Sequence, residues 1–234
     1  MWWWRERIGA VELGFTDRFG GVSAGIFAEL NLSINTADDP AAVLKNQQRF
    51  KSDFDCDLIT TMKQVHGSEF TAVETPGEFT CDGLITTTPN LGLLAMGADC
   101  VPLLLFAGRK AGAFHIGRKG LVAGLTENAI AEFSGEAEPT AVIGPYACGN
   151  CYELPIDLAD EITSAYPAAR STTTKGTTGV DIGNAIRSLL TANNFTIVET
   201  PSDFCTIEND RFFSHRSPGR NGGRQTGVVM IRDA

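Results

Sequence analysis

Two segments decide the fold: Ala98-Asp99-Cys100-Val101-Pro102-Leu103-Leu104-Leu105 and, nine residues later, Phe114-His115-Ile116-Gly117. Leu91–Met96 and Val101–Phe106 are short, continuous apolar runs, a pattern typical of strands that are covered on both faces. A connection of small residues separates the two runs, so Cys100 is at a strand boundary, where functional residues often occur. A thiol and an imidazole on neighbouring buried strands suit either a zinc site or a cysteine nucleophile, and this pattern leaves both open.

The composition indicates a folded protein with an acidic surface. The chain has 234 residues, 43% of them hydrophobic and 20% charged, and a formal net charge of −9. This charge argues against a nucleic acid or an anionic membrane as a partner held by bulk electrostatics. No apolar run reaches the ~18 residues that span a bilayer, and Met1–Arg7 lacks the features of a secretory signal. We therefore expect a cytoplasmic protein whose six cysteines stay reduced.

Strands and helices alternate along the whole chain. Asp39 and Pro40 predict a helix start, with a capping carboxylate followed by proline at the first helical position. A second helix is expected to begin near Arg118 and to continue to Phe133, a third is expected to end at Pro167, and Asp181 is expected to cap a fourth. The sequence predicts one α/β (α+β) domain over residues 1–234, with layers of mixed β-sheet flanked by helices.

Basic residues cluster at two places in this acidic chain. Arg118 and Lys119 fall in the first turn of a helix that begins beside His115, where free N–H groups and the helix dipole favour an anion. Near the end of the chain, four arginines occur within fourteen residues: Arg211, Arg216, Arg220 and Arg224. Arg18 precedes a glycine turn that would either be a plain turn or direct its N–H groups at an anion. Phosphate binding and simple solvation both explain these clusters.

Two further sites of possible chemistry are ambiguous in the sequence. His66 precedes a glycine at a strand end, which would leave its imidazole facing a cleft, yet a lone histidine is usually structural. Cys148-Gly149-Asn150-Cys151 is a CxxC pair without a second metal-spaced pair, so a structural zinc site is not favoured there. A redox pair would be expected to have different flanking residues.

An ordered set of motifs along nearly the whole chain resembles the YfiH family, also called the laccase-domain or polyphenol oxidase family. Each motif alone is weak, but the set occurs in the order typical of the family. The motifs are Phe15-Thr16-Asp17-Arg18-Phe19-Gly20-Gly21-Val22-Ser23, Gln64-Val65-His66-Gly67, Asp82-Gly83-Leu84-Ile85-Thr86, Ala98-Asp99-Cys100-Val101-Pro102, His115-Ile116-Gly117-Arg118-Lys119-Gly120, Ile143-Gly144-Pro145, Cys151-Tyr152-Glu153 and Phe212-Phe213-Ser214-His215-Arg216.

The resemblance implies a mixed α/β fold with a zinc ion bound by His66, Cys100 and His115. It also implies phosphorolysis of purine nucleosides (adenosine, inosine and methylthioadenosine), with adenosine deamination as a side activity. A bacterial branch of the family is linked to the editing of a peptidoglycan precursor by hydrolysis. The expected partners are a purine nucleoside and phosphate, in a monomer or homodimer.

A hypothesis for phosphorolysis and deamination assigns roles to further residues. Lys119, Arg216 and Arg18 are expected to hold phosphate, and Gln64 and Arg118 to contribute to the substrate site. For deamination, Asp99 or Glu153 would carry the proton. A glutamate two residues after a ligand histidine, which marks cytidine-type deaminases, is absent because Glu69 is three residues after His66.

The chain departs from the family pattern beside the expected metal ligands. The family usually has His-Ala-Gly-Trp-Arg-Gly where this chain has His115-Ile116-Gly117-Arg118-Lys119-Gly120, and Tyr146 replaces a usual cysteine. Lysine lacks the planar fork with which arginine binds phosphate bidentately, so the substitution affects substrate choice and turnover.

Three other functions compete with the zinc enzyme. Without a metal, Cys100 would be a nucleophile and His115 or His66 its base, which gives a hydrolase or amidase. A degenerate relative that acts through a partner would have no activity at all. A multicopper oxidase is disfavoured because copper clusters draw on many imidazoles and the chain has three histidines.

Overall fold

The computed structural model describes residues 1–233, which form two six-stranded mixed sheets with helices on their outer faces and a separate two-stranded sheet. The strands are β1 (Trp2–Ile8), β2 (Val11–Thr16), β3 (Leu58–Met62), β4 (Phe70–Ala72), β5 (Gly77–Phe79), β6 (Gly83–Thr86), β7 (Leu91–Gly97), β8 (Val101–Ala107), β9 (Lys110–Ile116), β10 (Thr140–Ile143), β11 (Arg170–Thr172), β12 (Thr178–Val180), β13 (Thr196–Val198) and β14 (Gln225–Ile231). The α-helices are α1 (Pro40–Phe54), α2 (Arg118–Val122), α3 (Leu125–Phe133), α4 (Ile156–Ala165) and α5 (Ile182–Ala192).

The two sheets pack against each other through a shared apolar core. The first sheet has the order β1-β2-β14-β7-β3-β5, and the second has the order β13-β10-β8-β9-β6-β4. Side chains from both sheets, including Phe15 and Leu93 of the first and Leu104 of the second, are buried in one cluster. The expected mixed α/β class is confirmed, while one domain over all of residues 1–234 stays a prediction.

Helices cover the outer face of each sheet. Phe50 and Phe54 of α1 pack with Leu94 and Met96 on the outer face of the first sheet. Helices α2 to α5 pack on the second sheet, where Leu103 and Leu105 point outwards. Because successive side chains on a strand face opposite sides, the apolar runs supply both an inner and an outer core.

The chain passes from one sheet to the other between β7 and β8. Strand β7 pairs with β14 and β3, whereas β8 pairs with β9 and β10. Residues Ala98, Asp99 and Cys100 form this connection, so they lie at the boundary between the two sheets. The position of Cys100 at a strand boundary is as expected, and the two flanking strands are not hydrogen-bonded to each other.

Helix boundaries follow local signals, with one correction. The Asp39 carboxylate accepts a hydrogen bond from Ala41 N at the start of α1, and Asp181 accepts one from Asn184 N at the start of α5, as predicted. The helix expected from Arg118 to Phe133 is wrong, because Gly124 adopts a left-handed conformation (φ 86°) and divides it into α2 and α3. None of the helices in the described residues is long and apolar enough to cross a bilayer.

Candidate metal centre and basic pocket

The structure brings together the three residues named as zinc ligands. His66 lies in the loop after β3, Cys100 directly precedes β8, and His115 is on β9. Cys100 Sγ is 3.9 Å from His66 Nε2, and one donor atom from each of the three residues lies within 4.8 Å of the others. The side chains are therefore near enough to bind one metal ion.

Sheet register and backbone conformation produce this cluster. In the β8–β9 pair, Pro102 is opposite His115, so Cys100 is held beside the end of β9. His66 and Asp99 have φ values of 60° and 90°, in the left-handed region that few residues other than glycine adopt. This backbone turns the His66 loop and the Ala98–Cys100 connection towards the same point.

Asp82 fixes the orientation of His115. Its Oδ1 is 2.9 Å from His115 Nδ1, and both residues are buried. Its Oδ2 accepts hydrogen bonds from the backbone amides of Gly67 (2.6 Å) and Val65 (3.2 Å), which flank His66. Burial opposes ionisation, but these hydrogen bonds hold the pKa of Asp82 below its usual range. An ionised carboxylate only accepts hydrogen bonds, so Nδ1 keeps its proton, and Nε2 is the nitrogen that could bind a metal once its own proton is lost.

Cys100 and His115 have opposite pKa shifts. Burial alone would raise the pKa of the Cys100 thiol, but the charge of His115 and hydrogen bonds from both histidines lower it to about 6. Burial would lower the pKa of His115, but the Cys100 thiolate and Asp82 raise it to about 9. At neutral pH, the metal-free site is a thiolate beside an imidazolium, and the thiolate is the form that binds metal.

Gly117 leaves space for the cluster. A Cβ atom at this position would be 2.9 Å from both Cys100 Sγ and His66 Cδ2, closer than real Cβ contacts. The absence of a side chain therefore lets the thiol and the imidazole approach the start of α2.

The trio is part of a pocket of about 730 Å³. This volume is within the range of about 300–1,000 Å³ that small-molecule sites occupy. Five of the lining residues are cations, and among residues 1–233 Asp99 is the one carboxylate that lines the pocket. The cations are Lys63, Arg118, Lys119, Arg216 and Arg224. The pocket is thus locally positive in a chain whose net charge is −9.

Three contacts position Arg216 at the pocket. Its guanidinium donates to Glu153 O (2.7 Å) and lies 4.2 Å from the centre of the Tyr152 ring. Its backbone amide donates to Asp99 Oδ2, and the other oxygen of Asp99 accepts from Thr206 Oγ1 (2.7 Å). Both oxygens of Asp99 are therefore occupied, which indicates a positioning role for this carboxylate.

The other predicted substrate residues differ in their placement. Arg118 and Lys119 line the pocket, and Arg118 also lies 3.7 Å from Glu161. Gln64 lines the pocket, but its amide exchanges two hydrogen bonds with the backbone of Met96 and so joins the His66 loop to β7. Arg18 is not among the lining residues.

Arg18 has a structural role in its loop. Its guanidinium donates to Asp210 O and Ala28 O (both 2.7 Å) and lies over the Phe19 ring. These contacts turn the guanidinium towards backbone carbonyls, and phosphate binding by Arg18 stays a prediction.

Several pocket residues were not selected from the sequence as site residues. They are Ser33, Asn35, Lys63, Tyr152, His215 and Arg224. Arg224 belongs to the basic segment near the end of the chain, and burial lowers the pKa of its guanidinium, although the nearby Cys100 and Asp99 oppose this shift. The Asp82 motif alone gives this aspartate no role. Its place directly before the apolar strand Gly83–Thr86 is the signal in the sequence that could have identified it.

A family model described as multi-copper polyphenol oxidoreductase laccase matches residues 12–232. A purine nucleoside phosphorylase of Streptomyces griseus is 39% identical over 95% of each chain. A purine nucleoside phosphorylase of Streptomyces coelicolor is 35% identical over 97% of this chain and 98% of the relative.

Among solved structures, YlmD from Geobacillus stearothermophilus superposes with a TM-score of 0.84 at 25% identity, over 96% of this chain and 93% of YlmD. The hypothetical protein YfiH from Bacillus licheniformis has a TM-score of 0.83 at 26% identity, over 95% of this chain and 93% of its own.

Proposed function

The chain belongs to the family described as multi-copper polyphenol oxidoreductase laccase, and we propose that it is a zinc-dependent purine nucleoside phosphorylase. Its proposed substrates are phosphate and adenosine, inosine or methylthioadenosine. One observation carries the proposal: two imidazoles and a thiol meet in a pocket lined by five cations and one carboxylate. The relatives named as purine nucleoside phosphorylases support it. We further propose that the enzyme acts in the cytoplasm, where its free cysteines would stay reduced.

The donor set fits zinc. Imidazole and thiolate are both zinc ligands, and three protein ligands with one open position are typical of catalytic zinc. The Asp82 carboxylate fixes the proton on His115 Nδ1. Many metal-binding histidines have a carboxylate partner of this kind. His66, Cys100 and His115 would hold the ion. A multicopper oxidase, as the family description names it, would need more histidine ligands than the three histidines of this chain.

When bound, zinc would act as a Lewis acid towards an oxygen of the substrate. The residues of the chain supply the rest of the proposed mechanism. Lys119 and Arg216 bind phosphate, and Arg216 is pre-oriented by Glu153 O and the Tyr152 ring, so little side-chain entropy is lost on binding. Held beside the nucleoside, phosphate attacks the sugar C1′ as the purine leaves.

Tyr152 is the proposed proton donor to the departing purine. Burial raises the pKa of its hydroxyl above the usual value, although the nearby Arg216 opposes this shift. The hydroxyl therefore stays protonated at neutral pH and can donate a hydrogen bond or a proton to a purine nitrogen.

Adenosine deamination is proposed as a slow side activity. It needs a carboxylate that can carry a proton between water and the base. Within residues 1–233, Asp99 is the one carboxylate lining the pocket, and hydrogen bonds occupy both of its oxygens. Glu153 contributes its backbone carbonyl to Arg216 and is not among the lining residues.

A cysteine hydrolase or amidase acting on a peptidoglycan precursor is the second candidate function. The observation in its favour is the thiolate–imidazolium pair of Cys100 and His115, the arrangement that activates cysteine nucleophiles. Zinc bound to the same sulfur would block this chemistry, so the two functions exclude each other at one site.

A nucleoside panel separates these functions. Zinc-loaded protein is incubated with adenosine, inosine and methylthioadenosine, with and without phosphate, and free base, ribose 1-phosphate or its methylthio analogue, and ammonia are measured. We expect release of base that depends on phosphate and is lost in Cys100→Ser. No release from any nucleoside by fully loaded protein would refute the proposal. An activity of the metal-free protein on a muropeptide, abolished by alkylation of Cys100, would support the amidase instead.

A further inference from the structure

A second cluster of metal-binding side chains lies outside the zinc trio. Cys148 and Cys151 belong to the turn after Pro145, and Cys205 and Glu208 belong to a segment more than fifty residues later. The three sulfur atoms and a carboxylate oxygen all lie within 4.8 Å of one another. The later segment supplies the two additional donors that the CxxC pair lacks in the sequence.

Main-chain hydrogen bonds hold the two segments together. The amides of Cys151 and Tyr152 both donate to Cys148 O (3.0 and 2.9 Å), which closes the CxxC turn. Tyr146 and Cys205 form a parallel bridge, and Thr206 N donates to Tyr146 O (3.0 Å). Because the backbone fixes both segments, metal binding would order few additional groups.

Cys148, Cys151 and Cys205 are free cysteines, and the thiolate that each forms on losing its proton is a zinc ligand.

The donor geometry is near that of a closed four-ligand site. Sulfur ligands of tetrahedral zinc lie about 3.8 Å apart, given Zn–S distances of about 2.3 Å. A set of donors spread over up to 4.8 Å reaches this geometry by side-chain adjustments of roughly an ångström or less. Soft thiolates select zinc over magnesium or calcium, and four protein ligands leave no open position for substrate.

We propose that Cys148, Cys151, Cys205 and Glu208 bind a second, structural zinc ion. The ion fixes one wall of the basic pocket, because Ala147 and Tyr152 line the pocket on either side of the CxxC turn. On the other segment, Thr206 adjoins Cys205 and donates to Asp99 Oδ1. The proposal does not depend on the phosphorylase function.

Cobalt substitution in a Cys100→Ser background tests the second site. Serine at position 100 removes the thiolate of the pocket trio, so any thiolate-to-cobalt charge-transfer band must come from other cysteines. Full-length Cys100→Ser, Cys100→Ser/Cys151→Ser and Cys100→Ser/Cys56→Ser proteins are stripped, loaded with cobalt and compared. Cys151 is the changed ligand because it is only partly buried, and the remote, buried Cys56 is the matched control.

We expect a strong charge-transfer band in Cys100→Ser and in the Cys56 control, and its loss when Cys151 is also replaced. Elemental analysis of protein purified without added metal should find zinc in Cys100→Ser at about one ion per chain. Folded Cys100→Ser without a band and without zinc would overturn the proposal, as would a Cys148–Cys151 disulfide in freshly purified protein. If only the proposed zinc site of His66, Cys100 and His115 is wrong, the charge-transfer band in Cys100→Ser is still expected.

Discussion

Replacing Gly117 by alanine adds one methyl group at the point where the proposed metal ligands meet. The new Cβ would lie 2.9 Å from Cys100 Sγ and from His66 Cδ2, whereas ordinary contact begins at 3.4 Å. The φ of Gly117 is −91°, which alanine adopts without strain. The effect of the substitution is therefore expected to arise mainly from the displaced thiol and imidazole.

The displacement sets the size of the effect. Each ligand group has to move by about 0.5 Å, more than the ~0.2 Å over which metal–ligand distances vary. Changes that misplace a ligand in this way weaken metal binding by about 10–100-fold, which corresponds to ~1.4–2.8 kcal/mol. The loss of glycine at the position before α2 would cost up to about 1 kcal/mol of stability in addition.

In a Cys151→Ser background, which lacks one ligand of the second proposed zinc site, chelator competition measures the affinity of the pocket site for zinc, and thermal unfolding of the metal-free protein measures the separate effect on stability. Gly135→Ala is the matched control, because a Cβ there has no atom within 4 Å. We expect the control to bind zinc like the wild type and Gly117→Ala to bind it at least tenfold more weakly. Folded Gly117→Ala with wild-type affinity would refute the assignment of the site.

Four further perturbations test other parts of the structure. Asp82→Asn should weaken zinc binding about 10–100-fold in chelator competition, because the carboxylate fixes the imidazole of its histidine partner; unchanged affinity would contradict this role. In metal-stripped protein, alkylation of Cys100 by iodoacetamide should be fast above pH 6 and slow as the pH falls through about 6, where the thiolate takes up its proton. Peptide mass spectrometry follows this residue, and a midpoint near the ordinary thiol value of about 8.5 would show that the histidines do not stabilise the thiolate. Arg216→Lys should raise the KM for phosphate roughly tenfold and leave the KM for nucleoside nearly unchanged, because lysine lacks the planar fork; steady-state kinetics with equal effects on both substrates would argue against phosphate binding. Glu12→Gln should lower the free energy of unfolding in urea by about 1–2 kcal/mol at pH 7, because two arginines pair with this carboxylate. Since hydrogen bonds from these arginines outweigh burial and lower its pKa from 4.5, the difference should be present above that value and shrink as the pH falls through the lower folded value.

Local signals in the sequence predicted much of the fold. The continuous apolar runs on either side of Cys100 indicated strands buried on both faces, and carboxylates before α1 and α5 marked their starts. The break at Gly124 was missed because the apolar residues keep their helical spacing across it. Both the successes and this failure arise from interactions within a few residues of the chain.

Long-range contacts could not be derived in the same way. His66 was placed beside Cys100 by family resemblance, since spacing alone does not bring the end of β3 to the start of β8. Cys205 is brought to the CxxC turn by a backbone bridge to Tyr146, in a distant segment. The Arg18 guanidinium donates hydrogen bonds to backbone carbonyls and does not line the pocket. Pairings of this kind depend on how the two sheets stack, which no local pattern encodes.

The left-handed backbone at His66 and Asp99 has a consequence for attempts to improve this protein. Each such residue costs the folded state of order 1–2 kcal/mol relative to a relaxed backbone. Glycine at position 66 would relieve this cost, so selection for thermal stability alone would favour variants that no longer have the imidazole. At position 99 the loss of the two hydrogen bonds that the carboxylate accepts offsets the gain. Directed evolution of a more thermostable variant should therefore keep His66 and Asp99 unchanged and introduce stabilising substitutions in loops remote from the pocket.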